Sequence, residues 1–329
     1  MRSRNPRDGR CTYVVLLEKS GGPEELRELG NYLSNLAVAG CEVVVLDPSS
    51  RMLFELNGRI LRWVARHVAV RPEHCTPAGV FDLIRASSIV ASCEKVIVAS
   101  QDVRYTIDAI VQLCELLDAH EVVEPQDYVE PLPWWGSIEA GRILVHRGIE
   151  PQPDHGATFG FRRTAVRGLR ALGMMDVADD PARRLASAGA EVFSAADVFV
   201  QRRPGAFDEW LEDRPRIAGN EFSLPVKSAF FFSLVPLLLL LTLLGEPRFA
   251  GVYAGLIAFS SIGLALRGRV GAGAFFPLRA CLFAPLWILE RSVSVYWALF
   301  RKLRGSEPEP AAAMFGHAAA DDRKHAQQR

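Results

Sequence analysis

Residues 12–50 read TYVVLLEKSGGPEELRELGNYLSNLAVAGCEVVVLDPSS, and this stretch decides the fold class. TYVVLL is an unbroken apolar run, closed by SGGP, a turn composition. PEELRELGNYLSNLAVAG then sets Leu26, Leu29, Leu33, Leu36 and Ala37 at helical spacing. CEVVVLD is a second apolar run that ends on Asp47 before PSS. Strands with fully apolar centres, separated by a helix, indicate a parallel sheet covered on both faces.

The alternation continues outward. RHVAV is a weak third strand, the helix PAGVFDLIRASSIVAS leads into EKVIVAS, and that fourth strand runs out at Gln101 and Asp102. A helix over TIDAIVQLCELLDA feeds HEVVEPQDY. The expected fold is α/β, with a doubly wound, mostly parallel sheet of about six strands. Ligands of such sheets bind beyond the carboxyl ends of the strands, where Asp47 and Asp102 both fall. No GxGxxG follows the first strand and no GxxxxGK[ST] occurs, so a glycine cradle does not hold a nucleotide here. Two strand-end carboxylates suit a divalent cation, Mg²⁺ or Mn²⁺, bridging a diphosphate. A strand-end Asp also caps the helix that follows it, and for either residue alone both readings stand.

The last third of the chain has a different composition. SAFFFSLVPLLLLLTLLG (Ser228–Gly245) and FAGVYAGLIAFSSIGLAL (Phe249–Leu266) carry no charge, and only Glu246, Pro247 and Arg248 separate them. Each is near the lower limit for a helix crossing a hydrocarbon core roughly 30 Å thick. A transmembrane helical hairpin is expected, with helices at 228–245 and 249–266. Arg214, Arg216 and Lys227 before it, and Arg267 and Arg269 after it, put both ends on the cytoplasmic side. ACLFAPLWILERSVSVYWALF (Ala280–Phe300) is interrupted by Glu290 and Arg291 and broken by Pro285. It reads as an interfacial helix, kinked near Pro285 within 275–303, or as a third span. Neither hairpin run contains a charged side chain, which argues against a transport pathway. The segments 1–10 and 305–329 have the composition of disordered tails. The organisation expected is a soluble α/β domain over 11–222 and a membrane region over 223–304.

Bulk charge excludes one partner class. The chain has 38 basic and 38 acidic side chains, so no global field favours nucleic acid. Its 6 cysteines form no CxxC pair, which suggests buried, reduced thiols rather than a disulfide frame or zinc site.

CEVVVLDPSS, EKVIVASQDVRY and the segment PLPWWGSIEAGRILVHRG…HGATFGFRRTAV together resemble the family 2 glycosyltransferases, in their membrane-anchored, lipid-acceptor branches. The resemblance covers most of residues 12–300. It implies a GT-A fold and inverting transfer of a sugar from a nucleotide-diphosphate donor to a lipid or membrane-associated acceptor. Asp47 then corresponds to the family's contact to uracil or ribose, and Asp102 to the surviving half of its DxD metal motif, with Ser100 replacing the first Asp. DVADDPARRLASAG offers Asp179 and Asp180 as the candidate base, though their acids equally suit a helix N-terminus. EWLEDRPR supplies Arg214 and Arg216 for the diphosphate, and His155 is a candidate second metal ligand. Thr76 and Pro77 stand where related sequences carry a lysine turn. Trp134 and Trp135 suit stacking on a sugar or headgroup, or packing. The alternative is a catalytically degenerate GT-A module that binds a nucleotide or a protein partner at the membrane.

Overall fold

The computed structural model describes residues 11–17, 22–70, 80–150, 158–168, 185–186, 189–220, 225–244 and 247–304. The chain forms two compact units. One is drawn from Met1–Asp127, His155–Val200 and Pro308–Arg329, the other from Tyr128–Asp154 and Gln201–Glu307. This division departs from the expected 11–222 and 223–304, because the helix over Trp134–Ile149 packs with the C-terminal helices.

The first unit opens β1 (Thr12–Leu16), α1 (Pro23–Val38), β2 (Glu42–Asp47), α2 (Arg51–Leu61) and β3 (Arg66–Ala69). It continues through α3 (Val80–Val90), β4 (Lys95–Ser100), β5 (Val103–Arg104), α4 (Ile107–Ala119) and β6 (Val122–Val129). After α5 (Trp134–Ile149) come β7 (Thr158–Arg162), α6 (Arg163–Gly168) and β8 (Val192–Arg202). One 8-stranded sheet results, in the order β3-β2-β1-β4-β7-β6-β8-β5.

β3, β2, β1 and β4 run parallel, as the strand–helix alternation requires. β7 is antiparallel to both β4 and β6. The sheet is therefore mixed, correcting the expectation of a mostly parallel one. β7 is inserted between β4 and β6 in the reverse sense, and side-chain alternation is the same in either direction.

The faces separate as a period-2 pattern demands. Tyr13, Val15, Val43, Val45, Ile97 and Ala99 pack with Leu29 and Leu33 of α1 and Leu113 and Leu117 of α4. Val14, Leu16, Val44, Leu46, Val96 and Val98 pack on the other side with Ile84 of α3 and Val166 of α6. Among the described residues, Cys11, Cys41, Cys114 and Cys281 are buried and Cys93 is half-buried.

The second unit adds α7 (Phe207–Asn220), α8 (Pro225–Leu243), α9 (Pro247–Arg269), α10 (Leu278–Leu282) and α11 (Ala284–Leu303) to α5. α8 and α9 begin earlier than the apolar runs alone mark, and α9 ends later. Over Arg248–Arg269, α9 is long and apolar enough to cross a membrane, at mean hydropathy 1.8 with 11% buried. Lys227–Leu243 of α8 is apolar but shorter. Leu239, Leu240, Leu243, Val252, Leu256 and Phe259 are exposed. Pro285 does not kink a helix. It sits in the first turn of α11, where its missing N–H has no intrahelical acceptor to lose. The expected helix over 275–303 is thus two helices, and Glu290 and Arg291 lie within a continuous α11.

Two packing details fix this unit. Pro236, inside α8, cannot donate to the Phe232 carbonyl, and the Tyr296 hydroxyl of α11 donates to that carbonyl at 2.5 Å. α5 and α9 cross at glycine. A Cβ on Gly148 would lie 2.1 Å from the Leu264 carbonyl oxygen, and one on Gly268 would lie 2.0 Å from that of Leu144. The reciprocity means that each glycine faces the residue four positions before its counterpart, so the backbones touch directly.

Candidate functional site

The parallel strands share one carboxyl edge. Leu16 pairs with Leu46 on one side and Ser100 on the other, so Asp47 and Asp102 leave the sheet at the same end. β1 lies between their strands, at about 4.8 Å spacing on each side; the two strand ends are neighbours of β1 rather than of each other.

Asp102 sits on a fastened loop. The Ser100 hydroxyl donates to Asp102 Oδ1. Arg104 donates to Glu28 Oε2 of α1 at 2.7 Å and to the Gln101 carbonyl at 2.6 Å, and lies 4.9 Å over the Tyr32 ring. Tyr105 is buried, its hydroxyl 2.8 Å from Thr158 Oγ1, and its N–H donates to the Tyr32 hydroxyl at 2.8 Å. Asp102 itself is half-buried. Arg104 and Tyr105, consecutive residues just after Asp102, tie this end of the loop to α1 through Glu28 and Tyr32 and to β7 through Thr158.

Asp47 is fully buried. Its Oδ1 accepts the Ser49 N–H at 2.8 Å, and its Oδ2 accepts from Asn57 Nδ2 at 2.9 Å and His67 Nε2 at 2.8 Å. The carboxylate only accepts, so His67 Nε2 donates to it, and among the described residues Nδ1 is buried without a partner. Phe54 stacks on His67 at 4.1 Å. Burial pushes the Asp47 carboxyl up, but the His67, Ser49 and Asn57 bonds outweigh it and hold it below its ordinary value. Asp47 thus joins β2, the turn before α2, α2 itself and β3, and a donor contact through it would have to displace an internal partner.

Asp47→Ala is expected to destabilise the fold by about 3 kcal/mol, because buried donors on Asn57 and His67 lose their acceptor. The folded pKa is depressed, so this contribution is present above about pH 3.9 and lost as pH falls through the lower folded value. Thermal melts of both proteins across acid pH should show the difference shrinking below about pH 4. A difference independent of pH would contradict it.

The arginine expected at the diphosphate lies in the second unit. Arg214 is 4% exposed, donates to Glu139 Oε2 at 3.1 Å and to the Trp210 carbonyl at 3.0 Å, and lies 4.5 Å over the Trp210 ring. Arg142 donates to Glu139 Oε1 at 2.8 Å. Burial pushes the Glu139 carboxyl up, yet Arg142 and Arg214 hold it well below the carboxylate range. Arg216 belongs to α7. Trp134 and Trp135 meet Phe207 at 5.2 and 5.7 Å, with Trp134 largely exposed. Asp179, Asp180, His155, Thr76 and Pro77 lie outside the described residues. Among the described residues, no group of three His, Cys, Asp or Glu side chains is placed to hold a metal ion.

Sequence reasoning missed the Arg104–Glu28 and Arg214–Glu139 pairs. An arginine two residues after a strand-end Asp was the only local signal for the first.

No family model matches the chain, and no curated protein matches it in sequence. Solved structures resemble it at low identity. A mannosyltransferase from Pyrobaculum calidifontis, in complex with GDP-Man and Mn²⁺, is 15% identical over 88% of this chain and 87% of its own, at TM-score 0.48. Glucosyl-3-phosphoglycerate synthase from Mycobacterium tuberculosis, with phosphoglyceric acid, is 16% identical over 65% of this chain and 79% of its own, at 0.39. The inositol-1-phosphate CTP transferase from T. maritima is 15% identical over 59% and 87%, at 0.38.

Proposed function

We propose that the chain is an inverting glycosyltransferase that moves a sugar from a nucleotide-diphosphate donor to a lipid or membrane-associated acceptor at the cytoplasmic membrane face. The placement of Asp102 carries the reading: a carboxylate fixed at the shared carboxyl edge of the parallel strands, on a loop tied to α1 through Arg104 and Glu28. The resemblance of EKVIVASQDVRY to the family's metal strand supports the same residue.

Mg²⁺ or Mn²⁺ fits this donor set in the mode of one carboxylate, Asp102, with the other ligands from diphosphate oxygens and water; His155 is the second candidate. Such an ion, when bound, neutralises charge on the departing nucleoside diphosphate. The protein's own task is then to hold the donor against the sheet edge and remove the acceptor proton, for which Asp179 and Asp180 are the candidates. Arg216 remains the candidate cation for the diphosphate, while Arg214 is engaged by Glu139.

The acceptor side is supported by the exposed apolar surface of α8 and α9. Water disfavours so large a patch and lipid accommodates it. A degenerate binding module is the second reading, favoured by the serine at position 100.

The test is calorimetry of the purified chain against UDP-, GDP- and CDP-linked sugars, with and without Mn²⁺, followed by turnover with a membrane lipid extract. One donor class is expected to bind only with Mn²⁺ and to be consumed. Binding without turnover selects the second reading, and binding of no donor overturns the first reading and the nucleotide-binding form of the second.

A further inference from the structure

Four cysteines converge at the amino-terminal edge of the sheet in the first unit, the end opposite Asp47 and Asp102, and the proposed transfer uses none of them. Cys11 immediately precedes β1, Cys41 immediately precedes β2, Cys93 stands two residues before β4, and Cys114 lies midway along α4. Thr12 pairs with Glu42 in the parallel ladder, and the Glu42 N–H donates to the Cys11 carbonyl at 3.0 Å. Cys11 and Cys41 therefore stand opposite each other, one step before that pair. Alternation puts both on the face of Tyr13, Val15, Val43 and Val45, where Cys114 of α4 joins the same core. Cys11 Sγ lies 3.8 Å from Cys41 Sγ.

The three buried thiols differ in their electrostatics. A hydrogen bond from Cys11 to Cys114, then one to Cys41, then burial push the Cys11 thiol well above its ordinary value. The same Cys11 bond pulls the Cys114 thiol down; burial opposes this, and the Lys95 ammonium adds to it. Lys95 is fixed beside Cys114, donating to its carbonyl at 2.6 Å and pairing with Asp118 at 2.6 Å. A sulfur that favours the thiolate thus touches a second thiol, and that thiol touches a third. Thiolate character next to a cation, with another sulfur in reach, marks an oxidisable cysteine. Half-buried Cys93, whose N–H donates to Thr12 Oγ1 at 3.1 Å, and exposed Ser92 form the solvent side of this edge.

We propose that Cys114, Cys11 and Cys41 form a reversible thiol site that reduces a hydroperoxide and stores the oxidation as a Cys11–Cys41 disulfide. With hydrogen peroxide, the Cys114 thiolate attacks one oxygen, becomes a sulfenic acid and releases hydroxide. That hydroxide takes the Cys11 proton and leaves as water. The Cys11 thiolate displaces hydroxide from the Cys114 sulfur, forming a first disulfide. Cys41 gives its proton to this second hydroxide and attacks the Cys11 sulfur, and Cys114 departs as a thiolate again. Two thiols have lost two electrons and two protons, and the peroxide has become two waters. Exchange runs in this direction because the thiol of lowest pKa leaves fastest. Neighbours on adjacent parallel strands, about 4.8 Å apart, also fall inside the Cα spacing of roughly 4.4–6.8 Å that a disulfide bridges. The product ties the foot of β1 to that of β2, and a dithiol releases it.

The full chain in detergent, reduced and then cleared of reductant, would be treated with stoichiometric hydrogen peroxide, alkylated and mapped by mass spectrometry. A Cys11–Cys41 disulfide should form and be lost again with dithiothreitol. Cys41→Ala should halt the sequence at a Cys11–Cys114 disulfide. Cys114→Ala should slow oxidation by about tenfold or more, since protonated thiols are poor nucleophiles. Lys95→Gln keeps every thiol, which guards against misfolding of the cysteine variants, and should slow oxidation without changing the disulfide formed. Oxidation confined to Cys75, Cys93 or Cys281 would overturn the proposal, as would a product that dithiothreitol does not reduce. Cys114→Ala and Lys95→Gln oxidising at the parent's rate would overturn it equally.

Discussion

Gly268→Ala is expected to destabilise the helical unit by roughly 3 kcal/mol or more, enough to lower its melting temperature by several degrees. The new methyl carbon would sit 2.0 Å from the Leu144 carbonyl oxygen and 2.8 Å from the Gly148 nitrogen. Both are backbone atoms of α5, so no rotamer change relieves the clash and the two helices must move apart. That separation also stretches the bond from Arg147 Nε to the Gly268 carbonyl, 3.3 Å in the native packing. Gly255, on the same helix, has nothing within 4 Å of an added Cβ. Gly255→Ala should be neutral or stabilising by up to about 1 kcal/mol, since alanine favours the helix. Melts of the pair in one detergent make the comparison. Equal effects would show that α5 and α9 do not meet at Gly268.

Asp102→Ala should abolish Mn²⁺-dependent donor binding and reduce turnover by roughly a thousandfold, the scale of losing a metal-held charge. The side chain is half-buried at a loop, so the melting temperature should hardly change. Ser100→Asp should act in the opposite direction and tighten Mn²⁺-dependent binding, because it restores a second carboxylate at the strand end. Intact donor affinity and turnover in Asp102→Ala would eliminate the catalytic reading.

The strands were legible where burial is two-sided. TYVVLL, CEVVVLD and EKVIVAS are apolar because helices cover both faces, and they appear as β1, β2 and β4. The 2-residue β5 and the long β8 were not legible. β5 is too short to show a period, and Ser194, Asp197 and Gln201 interrupt the pattern of β8. The direction of β7 was hidden for a different reason: the alternation of side chains is identical in parallel and antiparallel strands. Asp47 and Asp102 could be found by their place after apolar runs. What surrounds them could not. Glu28 and Arg104 are 76 residues apart, Glu139 and Arg214 are 75 apart, and pairing at that distance follows from tertiary packing alone. Asp47 shows the limit most plainly: a strand-end carboxylate suggests a ligand, and its three bonds turn inward.

The Phe232 carbonyl acquires its hydrogen-bond donor from a residue 64 positions later in the chain. At about 5–20 residues per second, Tyr296 is synthesised roughly 3–13 s after that carbonyl. During this interval neither Pro236 nor the Tyr296 hydroxyl can serve that carbonyl. The clasp between α8 and α11 at Phe232 is therefore closed only after translation of the final helix, and a ribosome stalled between the two would hold a nascent chain in which it cannot yet form.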